Sequence, residues 1–205
     1  MYRDMKMATE AGSKFENGLV DGQECYQYDP DILKLIDFSK SPATYNPPVS
    51  PTHPGENLVM RPLCLTDYDK GFLQLLTHLT KVGDVSREEF EARFMQMKNC
   101  PENYYVTVIE DTESGQIIAS ATLVKETKFI HQASARGRVE DVVVSNLYRG
   151  KQLGKLLVDS MTLLSAKVGC YKVSLECRDP LVKFYSQFGF IKEDNQNYMM
   201  QKWWD

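Results

Sequence analysis

The strongest hydropathy signal lies in Arg138–Val168. Val139 and Val142–Val144 form a β-branched run that predicts a strand. Ser145–Tyr148 breaks the run, and Arg149-Gly150-Lys151-Gln152-Leu153-Gly154 makes a short turn rich in glycine and cations. From Leu153 onward Leu156, Leu157, Leu164 and Val168 recur at helical spacing, with Lys155, Asp159 and Lys167 on other faces. The order is strand, glycine turn, amphipathic helix. Such a turn points free backbone N–H groups outward at a helix N-terminus, where a phosphate binds.

Other elements follow from the same periodicities. Leu58–Leu63 predicts a strand, and Thr66 is expected to cap a helix with Phe72, Leu75, Leu76 and Leu79 on its core face. Ser86-Arg87-Glu88-Glu89 is a capping box opening a helix that carries Phe90, Phe94 and Met97. Tyr104–Glu110 and Gln116–Val124 predict two strands of a hairpin around Asp111–Gly115. Tyr171–Cys177 alternates, with Tyr171, Val173, Leu175 and Cys177 on one face and Lys172, Ser174 and Glu176 on the other. Asp179-Pro180 starts a helix to about Phe188, Gly189 ends it, and Asn197–Trp204 predicts a last strand. The order β, α, α, β, β, β, α, β, α, β describes an α/β fold, a central mixed β-sheet flanked by helices.

Residues 1–56 read as an N-terminal arm and 57–205 as the folded domain. Six of the nine prolines lie between Pro30 and Pro54, which resists regular structure. Pro30–Phe38 predicts a short helix, the first ~25 residues are expected to be disordered, and the later arm to run along the domain surface. The 205 residues suffice for one full-sized core, and 42% hydrophobic with 25% charged residues is the balance of a soluble globular protein. A net charge of −4 disfavours a nucleic-acid binder. No apolar run is long enough for a transmembrane segment, and the N-terminus lacks a signal-peptide core, so a cytoplasmic protein is expected. Five cysteines without C-x-x-C imply reduced thiols and no metal site.

Three phosphate readings compete for the turn. A P-loop needs G-x-x-x-x-G-K followed by Ser or Thr, but Leu156 follows Lys155. The dinucleotide fingerprint G-x-G-x-x-G is absent. What remains, R-x-x-x-x-G after E-D-V-V-V, resembles the pyrophosphate loop of the GCN5-related N-acetyltransferases, which holds the diphosphate of acetyl-coenzyme A. Their general pattern is Q/R-x-x-G-x-G/A, and Gln152 stands where the first Gly is usual. P-T-H-P-G-E (Pro51–Glu56), L-T-K-V-G (Leu79–Gly83), K-F-I-H (Lys128–His131), R-V-E-D-V-V-V-S (Arg138–Ser145), R-G-K-Q-L-G-K-L-L (Arg149–Leu157), C-Y-K-V-S-L-E-C (Cys170–Cys177) and F-Y-S-Q-F-G-F (Phe184–Phe190) sharpen the match. Together they resemble the glucosamine-6-phosphate N-acetyltransferases of animals, from about Pro30 to the C-terminus.

That resemblance implies transfer of acetyl from acetyl-coenzyme A to the 2-amine of glucosamine 6-phosphate, on the route to UDP-N-acetylglucosamine. It implies a homodimer with the substrate near the subunit boundary, and direct attack in a ternary complex. Cys170 and Cys177 have no obvious His partner for a nucleophilic thiol, which agrees. By the same resemblance Lys128, His131, Lys172 and Lys202 are candidates for the sugar phosphate, Tyr171 for the substrate, and Thr80, Glu140 and Asp141 for the sugar. Backbone groups of Val142, Val143 and Val144 are expected at the acetyl carbonyl, and Arg149, Gly150, Lys151, Gln152, Leu153, Gly154 and Lys155 at the cofactor. Glu176 is expected to orient the amine. Tyr185 matches the general-acid Tyr, but a phenol of pKa ~10 facing a thiol of ~8.5 makes full proton transfer uphill by about 2 kcal/mol. A hydrogen bond to the leaving thiolate is its safer role. Relatives often carry Asn where this chain has Leu181. A protein or polyamine N-acetyltransferase and a catalytically silent acyl-coenzyme A binding scaffold stay open as alternatives.

Overall fold

Strand β4 (Tyr104–Asp111) explains why the sheet is covered on both sides. Its residues alternate, so Tyr105 and Ile109 join one buried cluster while Val106 and Val108 join another. The structure is a computed structural model and describes residues 19–20, 23–194 and 199–201. Within these the chain runs β1 (Leu19–Val20), β2 (Gln23–Glu24), α1 (Asp31–Lys34), β3 (Leu58–Pro62), α2 (Phe72–Leu76) and α3 (Arg87–Lys98). After β4 come β5 (Gln116–Thr127), α4 (Ile130–Ala133), β6 (Ala135–Val144), α5 (Leu153–Lys167), β7 (Cys170–Ser174) and α6 (Val182–Ser186). The main sheet has the order β3-β4-β5-β6-β7, antiparallel except for the parallel pair β6–β7, so it is mixed as expected.

Helix α5 covers one face, with Leu153, Leu156, Leu157, Met161 and Leu164 buried against Tyr105, Ile109, Leu123 and Val139. Its close approach depends on Gly137. A Cβ there would lie 3.1 Å from Ser165 Cβ and 3.2 Å from Leu123 Cδ1. Helices α2 and α3 cover the other face through Phe72, Leu75, Phe90 and Phe94, packed on Val106, Val108, Ile117 and Val143.

The Ser86 capping box forms as predicted, Ser86 Oγ accepting from Glu89 N and Glu89 Oε2 from Ser86 N. Thr66 does not cap a helix. Instead the buried Asp67 carboxylate accepts from Cys64 N at 2.7 Å, closing a 3₁₀ turn over Leu65–Tyr68, and α2 starts afresh after Gly71. Because α2 ends at Leu76, Leu79 is exposed rather than packed. Strand β7 stops at Ser174, three residues short of expectation. A 3₁₀ turn at Asp179–Leu181 leads into α6, with Gly189 following at positive φ.

The arm is more integrated than its composition suggests. Cys25 and Leu33 are buried, and Tyr28 Oη hydrogen-bonds Thr107 Oγ1 at 2.7 Å. Of the stretch expected to lack order, Leu19–Val20 pairs antiparallel with Gln23–Glu24, and residues 1–18 lie outside the described residues. So does most of the strand expected at Asn197–Trp204, whose described part, Met199–Gln201, carries no regular structure.

Candidate active site

Two irregularities of β6 make the site. On the β7 side, pairing ends at Arg138↔Ser174, so Val139–Val144 have no strand neighbour there among the described residues. On the β5 side the register slips. Ser120 faces Val143 and Thr122 faces Glu140, so Asp141 and Val142 together oppose Ala121. Asp141 adopts φ 52, a conformation for a non-glycine residue that persists only when its surroundings hold it. A bulge of this kind takes backbone groups out of the ladder and reverses the alternation beyond it. Val139 therefore faces α5 while Val143, four residues on, faces α2 and α3. The parted strand can offer its N–H and C=O groups to an extended ligand, as a sheet edge accepts an added strand.

The open segment leads into the glycine turn. Arg149 and Gly150 are exposed, and Lys151 Nζ lies 4.9 Å from the centroid of the Tyr148 ring. Gln152 is the N-cap of α5 at φ 62. Leu153 and Val143 are buried, which leaves only their backbones for a ligand. A Cβ at Gly154 would meet Val144 Cγ2 at 3.4 Å, ordinary contact. The Lys155 ammonium binds the Thr44 carbonyl and lies 4.8 Å from the Tyr45 ring centroid, so it is engaged by the arm.

Three of the predicted substrate residues, Lys128, Glu140 and Lys172, gather on one sheet face. Alternation puts Arg136, Arg138 and Glu140 of β6 on the side away from Gly137 and Val139, and register places Lys172 and Ser174 of β7 beside the two arginines. Arg138 Nε is 2.6 Å from Glu140 Oε1, an ion pair whose N–H does not point at the carboxylate, and its Nη1 is 4.0 Å from Glu176. Arg136 Nη2 donates to Ser174 Oγ at 3.0 Å. Lys128 pairs with Glu126 at 2.5 Å, and that contact foremost holds the Glu126 carboxyl below the ordinary range. Partial burial pushes the Glu140 carboxyl up. Arg138 opposes that, while Asp141, Glu176 and Glu126 add to it. Asp141 is exposed in the bulge.

His131 stacks on Tyr171, ring centroids 4.1 Å apart, in a turn where His131, Gln132 and Ala133 all have positive φ. Tyr185 of α6 is half-buried between Phe184 and Phe190, and burial, with Cys177 nearby, raises its pKa. Thr80 lies in the exposed α2–α3 connection, where its N–H donates to the Leu76 carbonyl at 3.2 Å and, among the described residues, no hydrogen bond joins it to this cluster. Lys202 lies outside the described residues. Sequence reasoning missed Arg136 and Arg138, although the period-2 spacing of Arg136, Arg138 and Glu140 was there to be read.

The model of the acetyltransferase (GNAT) family matches residues 72–190. The chain belongs to the GNAT acetyltransferase family. It is 54% identical over 170 residues to the "probable glucosamine 6-phosphate N-acetyltransferase" of Drosophila melanogaster, covering 82% of this chain and 77% of that one. The crystal structure of glucosamine-6-phosphate N-acetyltransferase from Arabidopsis thaliana superposes with a TM-score of 0.67 at 37% identity, covering 73% of this chain and all of that one (100%). An acetyltransferase from Trypanosoma brucei superposes with a TM-score of 0.63 at 33% identity, over 70% of this chain and 99% of the other. Within the GNAT family, then, the chain groups with the glucosamine 6-phosphate N-acetyltransferases.

Proposed function

We propose that this GNAT protein is a cytoplasmic homodimeric enzyme that N-acetylates glucosamine 6-phosphate with acetyl-coenzyme A, toward UDP-N-acetylglucosamine. Residues 57–205 form its catalytic domain and 1–56 its arm. The observation that carries the reading is the parting of β6 from β7 beyond Arg138, next to a bulge on one side and a glycine turn on the other. The diphosphate takes the N–H groups of Arg149–Gly154, and the pantetheine arm lies along Val142–Val144. A backbone N–H at the bulge binds the acetyl oxygen as it gains charge, a contribution of ~10²–10³ in rate. The uncharged amine attacks the acetyl carbon directly, oriented by Glu176 with Glu140 and Asp141 near the sugar. The N–C bond forms, the adduct's surplus proton passes to water, and the C–S bond breaks to release coenzyme A as its thiolate, which water reprotonates. Tyr185 hydrogen-bonds the departing sulfur.

The cations of the acceptor site support an anionic substrate over a protein lysine or polyamine. Arg136, Arg138, Lys128 and Lys172 stand against four carboxylates, Glu126, Glu140, Asp141 and Glu176, and Arg136 donates to the Ser174 hydroxyl rather than to a carboxylate. Coenzyme A thiol release is expected to be fastest with glucosamine 6-phosphate when glucosamine and a lysine peptide compete. Preference for the peptide would overturn the substrate.

Gly154→Val is expected to raise the acetyl-coenzyme A Kd at least ~10-fold, since a branched side chain crowds the N–H groups from the diphosphate. Calorimetry reads this directly, and unchanged affinity in a folded variant would place the diphosphate elsewhere.

The dimer is supported by Phe129, fully exposed (100%), and Ile130 (60%), in the turn whose His131 packs on Tyr171 of β7, the last strand of the sheet among the described residues. Light scattering is expected to give about twice the 23.5 kDa chain mass. A monomer mass across micromolar concentrations would remove the dimer and a shared site with it.

A further inference from the structure

Gln152 occupies a backbone conformation, φ 62, that costs any residue with a Cβ and that glycine adopts freely. Its side chain is not free. Gln152 Oε1 accepts from Asn46 N at 3.1 Å, and its Nε2 donates to the Pro47 carbonyl at 3.0 Å. Lys155, three positions on, binds the Thr44 carbonyl. Asp159, seven positions on and fully buried, accepts from Tyr45 Oη at 2.7 Å and from Ser41 Oγ. Positions 152, 155 and 159 share one helical face, so α5 presents a continuous row of polar groups to residues 41–47.

We infer that this part of the arm is a component of the cofactor loop, and that Gln152 is a positioning residue acting through it. The inference rests on acetyl-coenzyme A binding at Arg149–Lys155. Gln152 completes both a donor and an acceptor of the arm backbone while its own backbone holds the left-handed conformation of the turn. The arm is in turn fastened to the body of α5 at Asp159, a full turn beyond the loop. The strap therefore raises the fraction of molecules whose loop is already shaped for the diphosphate. Affinity falls in proportion when that fraction falls. A glycine in this place keeps the turn accessible but leaves it free to adopt others.

Acetyl-coenzyme A affinity by calorimetry and single-turnover acetyl transfer at saturating cofactor test this on the full chain. Gln152→Gly is expected to raise the Kd roughly three- to tenfold. Tyr45→Phe keeps its ring under Lys155 but loses the Asp159 bond, and is expected to weaken affinity in the same direction while leaving the saturated transfer rate within about twofold. In the Gln152→Gly background it should add less than about twofold, because the two residues act through one strap. Effects that multiply would overturn the inference. Unchanged affinity in Gln152→Gly with weakened binding in Gly154→Val would discard the strap and keep the loop. Unchanged affinity in both would remove the loop as the diphosphate site, and the strap's role with it.

Discussion

Tyr185→Phe is expected to slow acetyl transfer in a single turnover by ~10–10³-fold while acetyl-coenzyme A binds nearly as before. The hydroxyl has no hydrogen-bond partner among the described residues, so it is available to a ligand. Burial foremost, and Cys177, raise its pKa, which keeps the proton on the phenol at neutral pH and favours donation of a hydrogen bond over release of the proton. Charge appears on the sulfur only as the C–S bond breaks. The lost interaction therefore shows in kcat rather than in affinity. Phenylalanine keeps the ring contacts with Phe184 and Phe190 at 5.1 and 6.3 Å, so packing is conserved. Stopped-flow single turnover separates the chemical step from product release. A wild-type rate would mean that water alone stabilises the thiolate and Tyr185 is only packing.

Asp67→Ala is expected to cost about 3–5 kcal/mol of stability, because it strands a buried guanidinium. Arg61, 7% exposed, donates to Asp67 through Nη1 and Nη2 at 2.8 and 2.7 Å. Arg61 Nε also donates to Glu110 at 3.0 Å, and Lys70 Nζ reaches Glu110 at 2.7 Å. In a chain of 205 residues this loss lowers Tm by roughly 6–20 °C. A melt shifted by less than about 2 °C would mean that Glu110 alone satisfies Arg61. The network also sets an acid limit. Burial raises the Glu110 pKa, but Lys70 and Arg61 outweigh it and hold the carboxyl below its ordinary value. A depressed folded-state pKa stabilises above the unfolded value near ~4.3 and is lost as pH falls through the folded one. Glu110→Gln should therefore lower stability at neutral pH and flatten its fall below about pH 4, which melts across pH 3–7 measure.

Much of this protein was legible in the sequence because local rules acted there without competition. The Ser86 capping box, the β4–β5 hairpin and the amphipathic period of α5 each depend on residues within a few positions of one another. The strand–turn–helix around Gly150 is of that kind, and so was the family resemblance it carried. What only the tertiary structure decided depends on partners far along the chain. The bulge at Asp141–Val142 is a mismatch with Ala121, and no run of valines announces which residue will be left over. Thr66 lost its predicted cap because Asp67 is drawn inward to Arg61 and the Cys64 N–H, and α2 starts only after Gly71. Arg136 and Arg138 join Lys172 and Glu176 only once β7 returns parallel to β6. Gln152 looked like a departure from a glycine pattern, and its reason, the Asn46 and Pro47 backbone, lies more than a hundred residues earlier. Periodicity reports which face of an element is apolar. It does not report which element, or which arm of chain, will cover that face.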